Sequence, residues 1–389
     1  MTSTQIEIQL IASIVSIACA IPGVFLVLRK MSLISDAISH SILLGIVLGF
    51  FITQDTSSPL LILMAGLTGV MTVVFVEIIQ KTGLVKEDTA IGLVFPALFS
   101  IGVILIAKNA NDIHLDIDAV LLGELAFAPF NRWYISDIDM GPKSMWVMGG
   151  TLLITLTLLG LFYKELKIST FDPGLSAALG FSPALIHYSL MSVSSVTIVG
   201  AFDAVGAILV VALMIVPAAS AYLITHNLKT MLILAILFGV SSAISGYWLA
   251  NLLNASIAGS IATMLGVFFF LIYLLAPRRG LIAHIIRGKR QRREVMLLTF
   301  LLHLHNLQED NDEAERDIKH LHYHFKWNIK QSKNILKLAV DNGLVQLENN
   351  KAYLTEKGEK FCDASIFYII DNNHDEIKAI KNKFLIFRG

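Results

Sequence analysis

The residues most able to do chemistry are Asp36 and His40, in the run Ser35-Asp36-Ala37-Ile38-Ser39-His40-Ser41. Spaced i,i+4, they share one face of a helix. A carboxylate oxygen beside an imidazole nitrogen suits Mn, Fe, Zn or Co, whereas an all-oxygen site suits Ca or Mg. The run opens an apolar segment, and an ionisable group facing lipid costs about 3 kcal/mol on insertion scales. Such groups therefore face a cavity or another helix. A structural pair near the helix end, reaching water or backbone, is the competing reading. Two ligands do not complete a metal site, which fits a pathway that must release what it holds.

The elements that must position this pair are apolar. The chain of 389 residues is 55% hydrophobic and 15% charged, with mean hydropathy +0.69; a soluble domain carries about 25% charged residues. Nine apolar segments are expected, near 8–28, 34–53, 59–79, 90–107, 144–163, 184–202, 204–225, 229–250 and 257–276. Each approaches the roughly 20 residues that cross a bilayer as a helix. The sixth and seventh are separated only by Asp203 and flanking glycines, so a broken pair with Gly200 and Gly206 at the break is the alternative, giving eight spans. The N-terminus lacks a basic leader, so the first segment reads as a mature helix.

Charge sets the expected orientation. Arg29-Lys30, Lys81 with Lys86, Lys164 with Lys167, Lys229 and Arg278-Arg279 fall at alternate turns, while Asp55, Asp112, Asp116, Asp118 and Glu124 fall at the others. Basic turns lie inside. The N-terminus then faces outward and the C-terminal domain is cytoplasmic. Residues 108–143 form a long outer segment with a short interfacial helix over 119–130, and Trp133, Tyr134 and Trp146 form an outer aromatic belt.

Other polar residues have two readings each. Asp203 caps the following helix or lines the entrance of a pathway. His187 and His226 read as surface residues at inner helix ends. Pro217 precedes Ala218-Ala219-Ser220-Ala221, and Gly45 and Gly49 give a GxxxG spacing; both patterns favour close helix packing. Cys19 and Cys362 are too few and too far apart for a ligand cluster or a disulfide framework.

Four stretches resemble the membrane permeases of metal-cation ABC importers. They are Ser35 to Ser41, with serine where the family usually has glycine; Lys86-Glu87-Asp88-Thr89-Ala90-Ile91-Gly92; Phe171-Asp172-Pro173 through Gly180; and Phe202-Asp203-Ala204-Val205-Gly206 with Pro217-Ala218-Ala219. The resemblance spans residues 10–277. It implies a polytopic all-α membrane protein of eight or nine helices, residues 1–280, in a bacterial cytoplasmic membrane. It further implies a homodimer of permeases, two cytoplasmic ATPase subunits that use ATP, and an extracytoplasmic metal-binding protein. Asp36 and His40 would contact the transported divalent metal, manganese first, with zinc or iron as alternatives. Glu165, Phe171, Asp172, Pro173 and Gly180 would couple to the ATPase. No Gly-x-x-x-x-Gly-Lys-Ser/Thr loop is present, so the chain is expected not to be an enzyme.

Residues 281–389 depart from that family, whose members usually end after the last helix. Helical segments over 289–306, 312–325 and 329–342, then a hairpin over 344–355 and a helix from Thr355, resemble the winged helix-turn-helix of iron/manganese-dependent repressors. Lys330, Lys333 and Lys337 lie along the third helix, but acidic neighbours and the membrane tether argue against nucleic acid as a partner. His320 and His324 form an i,i+4 pair that could hold a regulatory metal; a solvated polar face is the plain alternative. Two other functions compete: a secondary transporter, for which no internal repeat is evident, and a membrane-tethered metal receptor signalling through the winged domain.

Overall fold

The structure is a computed structural model that describes residues 2–54, 58–109, 125–135, 138–277, 279–310 and 325–370. The chain divides into two compact units, Met1–Leu281 and Ile282–Gly389.

The first unit is helical. In order it contains α1 (Ser3–Leu28), α2 (Ser32–Thr53), α3 (Pro59–Lys81), α4 (Glu87–Asn109), the strands β1 (Arg132–Ile135) and β2 (Ile138–Pro142), α5 (Lys143–Leu161), α6 (Tyr163–Phe171), α7 (Pro173–Ala178), α8 (Pro183–Ile224), α9 (Leu228–Leu253) and α10 (Ile257–Leu275). Eight of these helices are long and apolar enough to cross a membrane among the described residues. Local chemistry sets their ends. Thr2 and Gln5 form a reciprocal capping box on α1. Ser58 and Ser182 cap α3 and α8, each followed by a proline at the first helical position, where its missing N–H costs nothing. Gln54 and Asn254 end α2 and α9 in the left-handed region.

The sixth and seventh expected segments form one run of helix, α8, of 42 residues, interrupted at Gly206 (φ 77°, ψ 165°). Gly200 stays helical, so the break is at Gly206 alone. The two halves fold back on each other. Arg29 reaches His187 in the first half, and the Met214 carbonyl of the second half fills the space where a side chain at Gly23 would stand. Gly23 and Arg29 are about 9 Å apart along α1, while His187 and Met214 would be about 40 Å apart along a straight helix.

Close packing explains the small residues. A side chain at Gly45 would collide with Met64 and Thr68 of α3, and Gly49 sits over Leu61; the GxxxG spacing is a packing seam. The hydroxyls of Ser35, Ser39 and Thr72 bond to carbonyls of their own helices, and Thr72 also donates to Ser41 at 2.7 Å, so the buried polar groups between α2 and α3 are satisfied.

The 108–143 stretch is described only in part. The interfacial helix expected over 119–130 lies mainly outside the described residues, and 128–130 is a single 3-10 turn. Strands β1 and β2, Arg132–Ile135 and Ile138–Pro142, pair antiparallel, which the short, mixed sequence did not announce. Trp133 and Trp146 meet edge to face at 6.4 Å.

The second unit contains most of α11 (Leu281–Asp310), then α12 (Ile329–Asp341), β3 (Val345–Glu348), β4 (Lys351–Leu354) and α13 (Glu356–Ile370). The strands pair across Asn349 and Asn350, both at positive φ, the backbone a two-residue hairpin turn demands. Its core joins Leu297, Phe300, Leu301 and Leu304 to Ile335, Leu344, Leu354 and Phe361. The expected helix over 312–325, with His320 and His324, lies almost wholly outside the described residues.

Candidate functional site

α2 buries most of its surface and leaves one outward stripe: Leu33, Asp36, His40, Leu44 and Leu48. The serines of the same run, Ser35, Ser39 and Ser41, point into the core. The segment thus separates two chemistries by helical periodicity: small hydroxyls behind, ionisable groups in front. Asp36 Oδ1 lies 3.5 Å from His40 Nε2, with side chains 43% and 33% exposed. The His40 ring stacks on Phe95 at 5.6 Å and meets the edge of Phe99 at 6.1 Å, both from α4. These aromatics limit the imidazole's rotation while its outer side stays open. Among the described residues no three His, Cys, Asp or Glu side chains gather into a metal cluster. The pair can therefore supply one oxygen and one nitrogen, and no third His, Cys, Asp or Glu among the described residues joins them.

Asp203 is exposed and sits within the first half of α8, three residues before the Gly206 break. The capping reading fails: the residue is itself helical and makes no side-chain hydrogen bond to a described residue. Its exposure leaves the pathway-entrance reading in place.

The segment carrying the other expected site residues is built as two short helices. Asp172 caps α7 by accepting from the Leu175 N–H at 2.9 Å, Pro173 follows at the first helical position, and Gly180 takes φ +88° just beyond the helix end. Phe171, Leu175 and Leu179 are all at least half exposed, an apolar surface on a polar-flanked element. Glu165 carries a buried carboxylate oxygen without a hydrogen-bond partner among the described residues.

His187 is the clearest correction. It is no surface residue: its side chain is 16% exposed and Nε2 lies 2.6 Å from Glu77 Oε1. The Tyr188 hydroxyl donates to Glu77 Oε2 at 2.7 Å, and Lys81 adds a contact at 3.4 Å. Arg29 lies 3.3 Å from His187 Nδ1 and also donates to Ser169 and Thr170 of α6. The Glu77 carboxylate thus ties α3 to the start of α8, and the Arg29 guanidinium extends the tie from His187 to the end of α1 and to α6. Sequence reasoning missed Glu77, although it is the one acidic residue inside the third apolar segment and qualified for attention on that ground alone. Phe95 and Phe99 gave only a weak signal, an i,i+4 aromatic pair in an apolar run. His226 is held at 2.9 Å by Arg279, whose guanidinium also lies 4.0 Å over the Tyr222 ring.

Known proteins resemble this chain over most of its length. It is 46% identical over 364 residues to the zinc transport system membrane protein TroD of Treponema pallidum, covering 92% of this chain and 98% of that one. It is 43% identical to the manganese transport system membrane protein MntD of Bacillus subtilis over 281 residues, 72% of this chain and 95% of that one. Among solved structures, PsaBC from Streptococcus pneumoniae in complex with Fab aligns with TM-score 0.61 and 30% identity, covering 72% of this chain and 94% of that one. Because the TroD match is longer than the 281-residue first unit, it extends into the second. Residues 3–276 match the ABC 3 transport family, and the chain belongs to that family.

Proposed function

We propose that this chain is the permease subunit of an ATP-driven importer that carries a divalent transition metal across the bacterial cytoplasmic membrane. The observation that carries the reading is the Asp36–His40 pair, half-open on the one exposed stripe of α2 and steadied by Phe95. Relatives named for manganese and zinc support the cargo class, and an oxygen-plus-nitrogen pair suits those ions better than calcium or magnesium. Manganese is the first choice, zinc or iron the next. Two copies would face each other across the path, each supplying its pair, so that metal exchanges part of its water for transient ligands. Asp203 would lie toward the outer entrance, where an extracytoplasmic metal-binding protein delivers the ion.

Two ATPase subunits would supply the energy and dock on the α6–α7 segment. Its exposed Phe171, Leu175 and Leu179 offer the apolar contact, and Asp172, Pro173 and Gly180 fix its shape. Residues 281–389 read as a cytoplasmic winged helix, supported by the succession of α12, the β3–β4 hairpin and α13. A regulatory metal pair at His320 and His324 belongs to the same proposal. Exposed Lys330, Lys333 and Lys337 on α12 favour a second reading, a tethered receptor whose effector is this unit.

Uptake of radioactive manganese, zinc and iron into vesicles holding the chain with its ATPase and binding-protein partners tests the proposal. ATP-dependent uptake of one metal, lost in Asp36→Ala and His40→Ala despite normal assembly, is expected. Unchanged uptake in both variants makes the pair structural, and absence of uptake by an assembled wild-type complex turns the reading toward the receptor.

A further inference from the structure

The turn between α10 and α11 is closed tightly. Gly280 N donates to the Ala276 carbonyl at 3.0 Å, and a side chain at Gly280 would collide with that same backbone. Arg279 is clamped on Tyr222 and His226. α11 therefore begins at Leu281, six residues after the end of the apolar helix α10 at Leu275, so its first turns follow closely on a candidate membrane span.

Those first turns have an unusual face. Leu281, Ile282, Ile285 and Ile286 are all exposed, Ile286 by 61%. Following the i,i+3/i+4 rows, the same face continues as Lys289, Arg292 and Arg293, all exposed. Between residues 276 and 293 there is no Asp or Glu. Arg290 pairs with Glu294 at 3.1 Å, whereas Lys289, Arg292 and Arg293 have no ion pair with a described residue. The helix joins a protein core only from Met296 onward. An apolar patch followed by cations on one helix face matches the layering of a bilayer edge, acyl boundary and then phosphate.

We propose that residues 281–293 bind anionic phospholipid headgroups of the membrane that holds the chain. The four aliphatic side chains enter the headgroup boundary, and Lys289, Arg292 and Arg293 meet the phosphates. A basic run placed there only to set topology needs no such face; a lipid-binding helix does. Each cation at an anionic surface strengthens association about fivefold.

The test uses the full chain with Ile286→Cys carrying an environment-sensitive dye, reconstituted without partners into phosphatidylglycerol-containing or pure phosphatidylcholine vesicles with brominated acyl chains. Both native thiols are buried, and unsubstituted protein serves as the labelling blank. Quenching by the brominated lipid is expected to be strong with phosphatidylglycerol, weaker with phosphatidylcholine, and reduced by salt. The triple variant Lys289→Gln, Arg292→Gln, Arg293→Gln is expected to lose the lipid preference, while Lys289→Arg keeps it. Equal quenching in both lipids, or none in either from protein that elutes as an intact species, overturns the proposal.

Discussion

At the scale of single residues, the Asp36–His40 pair proposed to contact metal lies on the open face of a well-packed helix, so its chemistry and the fold's stability are separable. Asp36→Asn is expected to lower metal uptake at least about tenfold while shifting unfolding by no more than about 0.5 kcal/mol, as for a surface change; uptake and thermal unfolding of the same preparation check both halves. Gly206 is the reverse case. Its φ of 77° with ψ 165° is a region almost closed to other residues, so Gly206→Ala is expected to destabilise the chain by about 1–3 kcal/mol, read as a lower midpoint in detergent. The pair was legible in the sequence because i,i+4 spacing has one structural meaning. The stacking of His40 on Phe95 was not, since nothing in a single chain says which apolar helix lies opposite. Gly206 was among two candidates for the break, and only the backbone angles chose between them.

At the scale of elements, most boundaries followed from caps and prolines that are visible in the sequence, while cross-helix ties were hidden. The joint at Glu77 is the example: His187, Tyr188 and Lys81 all approach one carboxylate from α8 and α3. Glu77→Gln is expected to destabilise the first unit by about 2 kcal/mol, the scale of a charged hydrogen bond, and Tyr188→Phe by less; differential scanning measurements on both variants decide the order. The β1–β2 hairpin gives a pH prediction. Arg132 is 2.6 Å from Asp139, and its hydrogen bond, with the Gly141 N–H, holds the Asp139 carboxyl below the ordinary aspartate range. A depressed carboxylate contributes stability above the unfolded pKa and loses it as pH falls through the folded value. The hairpin is therefore expected to persist at pH 5 and loosen only below about pH 4. Difference fluorescence between wild type and Trp133→Phe follows the change, and Asp139→Asn is expected to abolish the acid step.

At the scale of the whole molecule, the two units have separate cores, and the relative MntD matches over a length close to that of the first unit alone. Ending the chain after Arg293 is expected to leave a folded membrane unit with basal uptake; loss of uptake in well-assembled truncated protein would make the second unit part of the transport machinery. The division near residue 280 was legible in the sequence, because apolar spans give way there to charge. What the second unit contacts was not, since exposed lysines serve several partners equally well. The fold-back of α8 bears on the molecule as a whole. Among the described residues, eight helices are long and apolar enough to cross a membrane, and one of them turns back on itself at Gly206. Were each half of α8 to cross a bilayer, the direction in which α9 and α10 run would be set by one residue without a side chain, and a sequence that straightened residue 206 would reverse it.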